Sequence, residues 1–125
     1  MSEYNTYEEY IKTIKNLNPS YKCPMKKTLS LFTGKWRVYV LFELSKHDSR
    51  RFGELKSAIT GITNTMLTST LRDLVELSIV SRKQFNEVPP HVEYSLTDKG
   101  RALFPIFDEI IKWNEKYQDC KENIE

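Results

Sequence analysis

Cysteine, histidine and long apolar runs are all scarce in this chain of 125 residues, and each scarcity argues against a class of protein. The two cysteines, Cys23 and Cys120, lie far apart, and two histidines without a Cys-x-x-Cys pair do not supply a closed zinc site. No window approaches the roughly 20 apolar residues that span a bilayer, and the N-terminus lacks the basic start and apolar run of a secretory signal. We therefore expect a cytoplasmic protein with no structural disulfide, metal, cofactor or membrane contact.

Motifs of the common enzyme classes are also missing. The sequence has no phosphate-binding loop, no nucleophile elbow and no paired acid near a histidine. A length of 125 residues suits one globular domain, which buries about two-thirds of the surface that its unfolded chain exposes. We predict a single domain that is not an enzyme.

Positive charge is concentrated in the middle of the chain. The 19 Lys and Arg residues exceed the 17 Asp and Glu residues by only two. Residues 20–101, however, carry fourteen basic and eight acidic side chains, whereas residues 1–19 and 102–125 are both net acidic. A locally basic surface attracts phosphate without regard to sequence, so we expect the middle segment to meet nucleic acid.

The segment from Thr63 to Leu77 has the pattern of an amphipathic helix. Its apolar residues recur at helical spacing and predict one buried stripe: Leu67, Leu71, Leu74 and Val75. The remaining surface carries short polar side chains and one guanidinium: Asn64, Thr65, Thr68, Ser69, Arg72 and Glu76. Gly61 supplies the preceding turn, and Thr63 or Asn64 can cap the first turn. Such a face suits close approach to a partner, although an ordinary amphipathic helix can also expose hydroxyls.

Two strand-like runs follow this helix, at residues 79–85 and 92–96, and the pair Pro89-Pro90 stiffens the connection between them. Thr97 then has the character of an N-cap for a further helix. The order of helix, helix, hairpin and helix is that of a winged helix-turn-helix, in which the hairpin is the wing.

Strand alternation assigns faces to the side chains of the wing. Arg82 and Gln84 fall on one face, and Lys83 and Phe85 fall on the other. Because Phe85 indicates the core side, Arg82 or His91 is favoured to contact a phosphate or the minor groove of DNA.

Apolar periodicity predicts further helices at residues 4–17, 25–32, 35–45 and 53–59, with a short strand at Arg51-Phe52. Past Thr97 the last helical pattern is apolar on more than one side, and Pro105 should bend or restart that helix. A lone domain has too little core to hide this apolar surface, which favours burial against a second copy of the chain.

The predicted fold class is therefore α+β and mainly α, a winged helix-turn-helix with extra dimerisation helices at both ends. Its predicted parts are an N-terminal helix at residues 1–19, the DNA-binding domain at residues 20–101, and a C-terminal dimerisation helix with a polar tail at residues 102–125.

Several motifs occur in an order that resembles a known family. They are Gly34-Lys35-Trp36, Arg51-Phe52-Gly53-Glu54-Leu55, Leu71-Arg72-Asp73-Leu74 and the run from Val88 to Thr97. From about Cys23 to Trp113 the chain resembles the HxlR-type, MarR-like bacterial transcriptional regulators. It departs at Ser78, where the family usually has glycine, and at Val75, where an acidic residue is common. A positive φ at Ser78 would strain that turn.

This resemblance implies a homodimer that binds double-stranded DNA at a near-palindromic operator. The polar face would enter a major groove, where Arg72 could read guanine, contact a phosphate or pair instead with Glu76. Lys35 would open its helix near the DNA backbone. The alternative is a winged-helix module for protein–protein interaction, but such a module should expose apolar or acidic residues on the helix that starts at Thr63 or Asn64.

The resemblance also implies a role for Cys23, since a cysteine at this position senses oxidants or electrophiles in some members of the family. Lys22, Lys26 and Lys27 and a helix N-terminus lie close to it in sequence, and both favour the reactive thiolate. An oxidant or small electrophile is thus an expected effector. The alternative is that Cys23 is a small buried apolar residue.

Overall fold

The computed structural model describes residues 6–16 and 24–118, and the chain divides into two compact units, Met1–Phe32 and Thr33–Glu125. The first unit contains α1 (Tyr7–Lys15) and α2 (Pro24–Leu29). The hydroxyl of Thr6 caps α1 by accepting a hydrogen bond of 3.1 Å from the backbone N–H of Glu9. Helix α2 ends three residues before the predicted end at Phe32, because Leu31 and Phe32 donate to carbonyl groups three residues back and form tighter turns.

The second unit contains the remaining helices and one small sheet. Its elements are α3 (Lys35–Ser45), β1 (Arg50–Arg51), α4 (Phe52–Ala58), α5 (Asn64–Glu76), β2 (Val80–Phe85), β3 (His91–Leu96), α6 (Asp98–Arg101) and α7 (Phe104–Tyr117). The strands are antiparallel in the order β1-β3-β2, so the wing hairpin of β2 and β3 gains a short third strand. This arrangement is a winged helix-turn-helix, and the predicted fold class is confirmed.

Apolar stripes of α3, α4 and α5 form the core. The side chains that are least exposed are Val40, Leu41, Leu44, Leu55, Leu67, Leu71, Leu74, Ile79 and Val80. The predicted stripe of α5 is confirmed at its three leucines, whereas Val75 is only half-buried. Helix α4 begins at Phe52, one residue earlier than predicted, because the Glu54 carboxylate accepts a hydrogen bond of 2.8 Å from the N–H of Arg51. Phe52 is half-buried.

A tight turn connects α5 to the wing at Ser78. The N–H of Ser78 bonds to the carbonyl of Val75, and the N–H of Ile79 bonds to that of Leu74, both at 3.0 Å. This pattern is a Schellman motif, which needs a left-handed residue just past the helix end. Ser78 supplies it with φ 62°, so the turn has the positive φ for which a non-glycine residue is strained.

Thr97 and Gly100 join the end of the wing to the start of the last helices. The Thr97 hydroxyl accepts a hydrogen bond of 3.0 Å from the N–H of Gly100, as predicted for an N-cap, and its own N–H bonds to the carbonyl of Ile79. A Cβ atom at Gly100 would collide with that same carbonyl oxygen. Residues 102–103 separate α6 from α7, and Pro105 lies in the first turn of α7. The predicted restart of the helix at Pro105 is therefore confirmed.

Most apolar side chains of α7 remain at the surface of the single chain. Leu103 and Phe107 are buried, and the Phe107 ring lies 5.8 Å from the ring of Phe42. The exposed apolar residues are Phe104, Ile106, Ile110, Ile111, Trp113 and Tyr117. Within the described ranges no helix is both long and apolar enough to cross a membrane.

Candidate nucleic-acid interface

The N-terminus of α5 is fixed by its own cap and by the preceding turn. The Thr63 hydroxyl accepts a hydrogen bond of 3.1 Å from the N–H of Met66, so Thr63 rather than Asn64 is the cap. Gly61 turns the chain with φ 88°, and its Cα faces the Trp36 indole, whose Cη2 would lie 3.7 Å from an added Cβ. The start of α5 is therefore held against α3.

The predicted polar face of α5 lies at the surface of the protein. Asn64, Thr65, Thr68 and Arg72 are exposed, and Ser69 is half-buried. In the part of the chain that the structure describes, the Arg72 guanidinium has no hydrogen-bond or ion-pair partner, so the alternative pair with Glu76 is not formed. The five donors of this guanidinium are available to an external acceptor.

An ion pair connects α3 and α5 beside the polar face. The Arg37 Nη2 atom lies 3.3 Å from the Asp73 Oδ2 atom, with both side chains partly exposed. Asp73 directly follows Arg72 in sequence, so this contact lies at the edge of the polar face. Sequence reasoning missed the pair because its partners are 36 residues apart.

Met66 is a further candidate that sequence reasoning missed. It lies in the first turns of α5 and is 44% exposed, outside the buried leucine stripe. Apolar side chains on a DNA-reading helix can contact the methyl group of thymine. The sequence contained one signal for Met66: at helical spacing it falls outside the stripe of Leu67, Leu71 and Leu74.

Lys35 lies beside the turn that leads into α5. It is the first residue of α3, after Gly34 with φ 86°, and it is exposed. Its Nζ atom is 4.8 Å from the centre of the Trp36 ring, the same ring that faces Gly61. The lysine predicted to meet the DNA backbone is thus close to the start of the predicted reading helix.

Arg82 is the cation of the wing whose side chain has the fewest contacts with other side chains. Arg82 pairs with Tyr94 across the hairpin, is exposed, and has no side-chain partner among residues 6–16 and 24–118. Lys83 is also exposed, but its Nζ atom lies 4.9 Å from the centre of the Phe85 ring. Burial along β2 does not alternate as predicted, because Lys83 is as exposed as Arg82 and Gln84, and only Val80 and Phe85 at the two ends of the strand are covered.

His91 is not free to meet a phosphate, which counts against its predicted role. Its ring stacks on Phe85 with centroids 4.6 Å apart, and its side chain is only 14% exposed. The Nε2 atom lies 3.0 Å from a Glu93 oxygen, and the Nδ1 atom lies 3.6 Å from a Glu87 oxygen. Both ring nitrogens therefore face carboxylates that belong to the wing itself.

Glu93 connects the wing to the loop before β1. Its Oε1 atom accepts a hydrogen bond of 2.9 Å from the Ser49 hydroxyl, and its Oε2 atom faces His91. These two hydrogen bonds, with that of Ser49 the stronger influence, hold the pKa of the Glu93 carboxyl below its usual value. The ionised form of Glu93 is thus the one that fixes the hairpin.

Two further predictions concern cysteine and metal. Cys23 and Cys120 lie outside the described residues, so the sensor role of Cys23 stays a prediction. In the described part of the chain, no group of three or more histidine, cysteine, aspartate or glutamate side chains could hold a metal ion.

Comparison with known proteins agrees with this geometry. The family model described as HxlR-like helix-turn-helix matches residues 31–122. YdzF of Bacillus subtilis (strain 168), an uncharacterised HTH-type transcriptional regulator, is 43% identical over 94 residues, which cover 75% of this chain and 86% of YdzF.

Two solved structures are similar across most of the chain. The redox regulator HypR in its oxidised form has a TM-score of 0.70 and 39% identity, covering 78% of this chain and 99% of HypR. Diamide-treated YodB from B. subtilis has a TM-score of 0.64 and 33% identity, covering 78% of this chain and 96% of YodB.

Proposed function

The chain belongs to the HxlR-like helix-turn-helix family and is a transcriptional regulator rather than an enzyme, and from this premise we propose that it binds a specific DNA operator as a homodimer. The observation that carries this proposal is the exposed face of α5, with its short polar side chains and with Arg72, which has no partner among the described residues. In a helix-turn-helix protein the second helix enters the major groove. Small side chains allow that approach, and an arginine can bond to guanine O6 and N7 together.

Phosphate contacts would set the position of the protein on the duplex. Lys35 at the start of α3 and Arg82 on the wing are the two exposed cations that we assign to this role. They flank α5 in the fold, one near its first turn and one on the hairpin that follows it. Such contacts carry no sequence information, but they make affinity depend on salt.

We assign dimerisation to the exposed apolar stripe of α7: Ile106, Ile110, Trp113 and Tyr117. These positions follow helical spacing on one face, and Trp113 is 56% exposed in the single chain. A second copy related by a two-fold axis would cover the stripe. The exposed apolar side chains of α1, Tyr7, Tyr10 and Ile14, are a second surface that we assign to this dimer.

A two-fold dimer predicts the form of the operator. The two reading helices would lie about 34 Å apart, which is one turn of DNA, and would require near-palindromic half-sites about 10 bp apart. In vitro selection from a random duplex library, at one fixed salt concentration, tests this directly. Enrichment of a near-palindrome with that spacing supports the proposal, and failure to enrich any sequence over repeated rounds contradicts it.

We also propose that oxidants or electrophiles regulate DNA binding through Cys23. The support is that the similar proteins include HypR, named a redox regulator, and YodB in a diamide-treated form. Diamide oxidises two thiols to a disulfide, so it should abolish operator binding by wild type and by Cys120→Ser, in which the disulfide joins the Cys23 residues of the two protomers, while Cys23→Ser keeps it. Equal loss in all three proteins, or no loss in any, would exclude Cys23 as the sensor.

A further inference from the structure

A hollow of about 570 Å³ opens where the connection from α3 to β1 approaches α6. Residues 44–49 line it from the end of α3 and from that connection, and Leu96 and Arg101 line it from the end of β3 and from α6. Its volume lies in the range of small-molecule sites. Lys35 and Ser45 are the first and last residues of α3, so the hollow lies about 15 Å along the helix from the lysine that we assign to DNA.

The polar side chains of the hollow fall into two groups. Four of them already bond within the protein: Ser45, Lys46, His47 and Ser49. The other two, Asp48 and Arg101, are both exposed, and neither side chain has a hydrogen-bond or ion-pair partner anywhere in the two ranges that the structure describes. They offer one carboxylate and one guanidinium to a ligand, a combination that complements a zwitterion.

The elements that carry these two charges set the direction in which a zwitterion would bind. Asp48 follows the C-terminus of α3, whose last residue, Ser45, and cap residue, Lys46, both line the hollow. The C-terminal end of a helix is the negative end of its dipole and favours a cation. Arg101 ends α6, and a guanidinium can bind a carboxylate through two parallel N–H donors. A ligand ammonium therefore belongs at Asp48, and a ligand carboxylate belongs at Arg101.

An apolar slot of about 210 Å³ adjoins the hollow. Three residues line both spaces: Ser45, Leu96 and Arg101. The remaining residues of the slot are Gly100, Phe104 and Phe107. Phe107 is buried against Phe42, whereas Phe104 is 69% exposed, so a ligand side chain in the slot would cover apolar surface that the single chain leaves open to water. Burial of such surface is favourable.

We propose that the hollow and the slot together bind a free α-amino acid with an apolar side chain, of which leucine is the example. Its ammonium binds Asp48, its carboxylate binds Arg101, and its side chain enters the slot. Arg101 lines both spaces, so the carboxylate and the side chain, which share one carbon atom, reach their places together. None of these residues is assigned to DNA, so the site is independent of the proposed function.

Ligand binding is tested on the protein without DNA, at neutral pH, with L-leucine as the probe. In ¹H–¹⁵N spectra the backbone amides of Ser49 and Gly100 should shift in a saturable manner, while the Trp36 indole N–H, at the other end of α3, stays in place. Absence of a saturable shift overturns the proposal.

Three analogues test which parts of leucine are recognised. L-Leucinamide lacks the carboxylate and 4-methylpentanoate lacks the ammonium, so each should bind about fivefold more weakly than leucine. Glycine lacks the side chain that enters the slot and should bind at least about fivefold more weakly. Binding of any of the three as tight as that of leucine overturns the proposed ligand class.

Two neutral variants assign each charge of the ligand to one side chain. Arg101→Gln should weaken leucine binding about fivefold and leave leucinamide binding unchanged, because leucinamide has no carboxylate to lose. Asp48→Asn should weaken leucine binding about fivefold and leave 4-methylpentanoate binding unchanged. A purely structural role for either residue would weaken all ligands alike, and that result overturns the assignment.

Two variants with the same added ring test the location. Ser45→Phe places the ring where the hollow meets the slot and should weaken leucine binding by at least about tenfold. Ser57→Phe adds the same bulk at an exposed position of α4 that lines neither space, and should bind as wild type does. Unchanged amide shifts along α5 show that both variants are folded. Equal binding of leucine by wild type and folded Ser45→Phe overturns the proposal.

Discussion

The hydroxyl of Thr97 donates a hydrogen bond of 2.6 Å to the carbonyl oxygen of Ser78, which joins the cap of α6 to the turn that ends α5. Ser78 is held at φ 62° in this arrangement. A left-handed backbone costs a residue with a Cβ atom roughly 1–2 kcal/mol relative to glycine. The turn that orients the wing on α5 is therefore strained.

Replacing Ser78 by glycine should stabilise the protein. We expect Ser78→Gly to raise the free energy of unfolding by about 0.5–1 kcal/mol, because relief of the strain exceeds the added entropy of the unfolded chain. Urea unfolding measures the change. The control is Ser81→Gly in β2, which should lower stability by about 0.5–1 kcal/mol. Equal destabilisation by both substitutions would contradict the strain at Ser78.

Local signals predicted the elements of the interface well. The capping residues predicted the start of α5 to within one residue, at Thr63 or Asn64, and the leucine spacing predicted its buried face at Leu67, Leu71 and Leu74. The strain at Ser78 could be predicted only on the condition that φ is positive there. The Schellman turn requires that positive φ, whereas the serine itself does not indicate it.

Side-chain partners were not predictable in the same way. Alternation placed His91 at the wing, but it could not show that Glu87 and Glu93 occupy both ring nitrogens. The ion pair of Arg37 with Asp73 depends on how α3 packs on α5. Such contacts are set by the tertiary arrangement, which periodicity does not contain.

The Glu93 network makes the wing sensitive to acid. The folded-state pKa of Glu93 lies below its unfolded value, so its contribution to stability is present above about pH 4.3 and is lost as the pH falls further. Glu93→Gln should therefore be less stable than wild type at neutral pH, and the difference should shrink in acid. Ser49→Ala removes the hydrogen bond that lowers the pKa of Glu93 most and should show a partial effect. Parallel pH profiles for wild type and both variants would exclude the network as the cause.

A charge on the apolar stripe of α7 should weaken the dimer. Trp113→Glu places a carboxylate on the surface proposed to be buried between two copies, where desolvation of a charge is unfavourable. Sedimentation should show a raised dimer dissociation constant. Glu115→Lys reverses a charge on the polar side of the same helix, at an exposed position with no ion pair in the described part of the chain, and should leave the dimer intact. An unweakened Trp113→Glu dimer would show that α7 is not the interface.

Arg82 and His91 should differ in their effect on the salt dependence of DNA binding. Arg82→Ala should lower the slope of log affinity against log salt by about 1 for each protomer, because one phosphate contact is lost. His91→Ala should leave the slope unchanged, because both ring nitrogens face carboxylates. Fluorescence anisotropy over a salt series gives both slopes. The reverse order, with His91→Ala lowering the slope and Arg82→Ala not, would restore His91 as the contact.

The affinity of Arg72 variants for the selected operator tests most directly whether the exposed face of α5 reads DNA. Arg72→Ala should weaken operator binding by about 1–3 kcal/mol, or about 5- to 150-fold, and leave binding to unrelated DNA nearly unchanged. Arg72→Lys keeps the charge but not the paired donors, so it should also lose discrimination at one base pair. Lys112→Ala, which removes a cation from α7, should bind as wild type does. The predicted result is loss of specific affinity in both Arg72 variants, and unchanged operator affinity in Arg72→Ala would contradict the assignment of α5 as the reading helix.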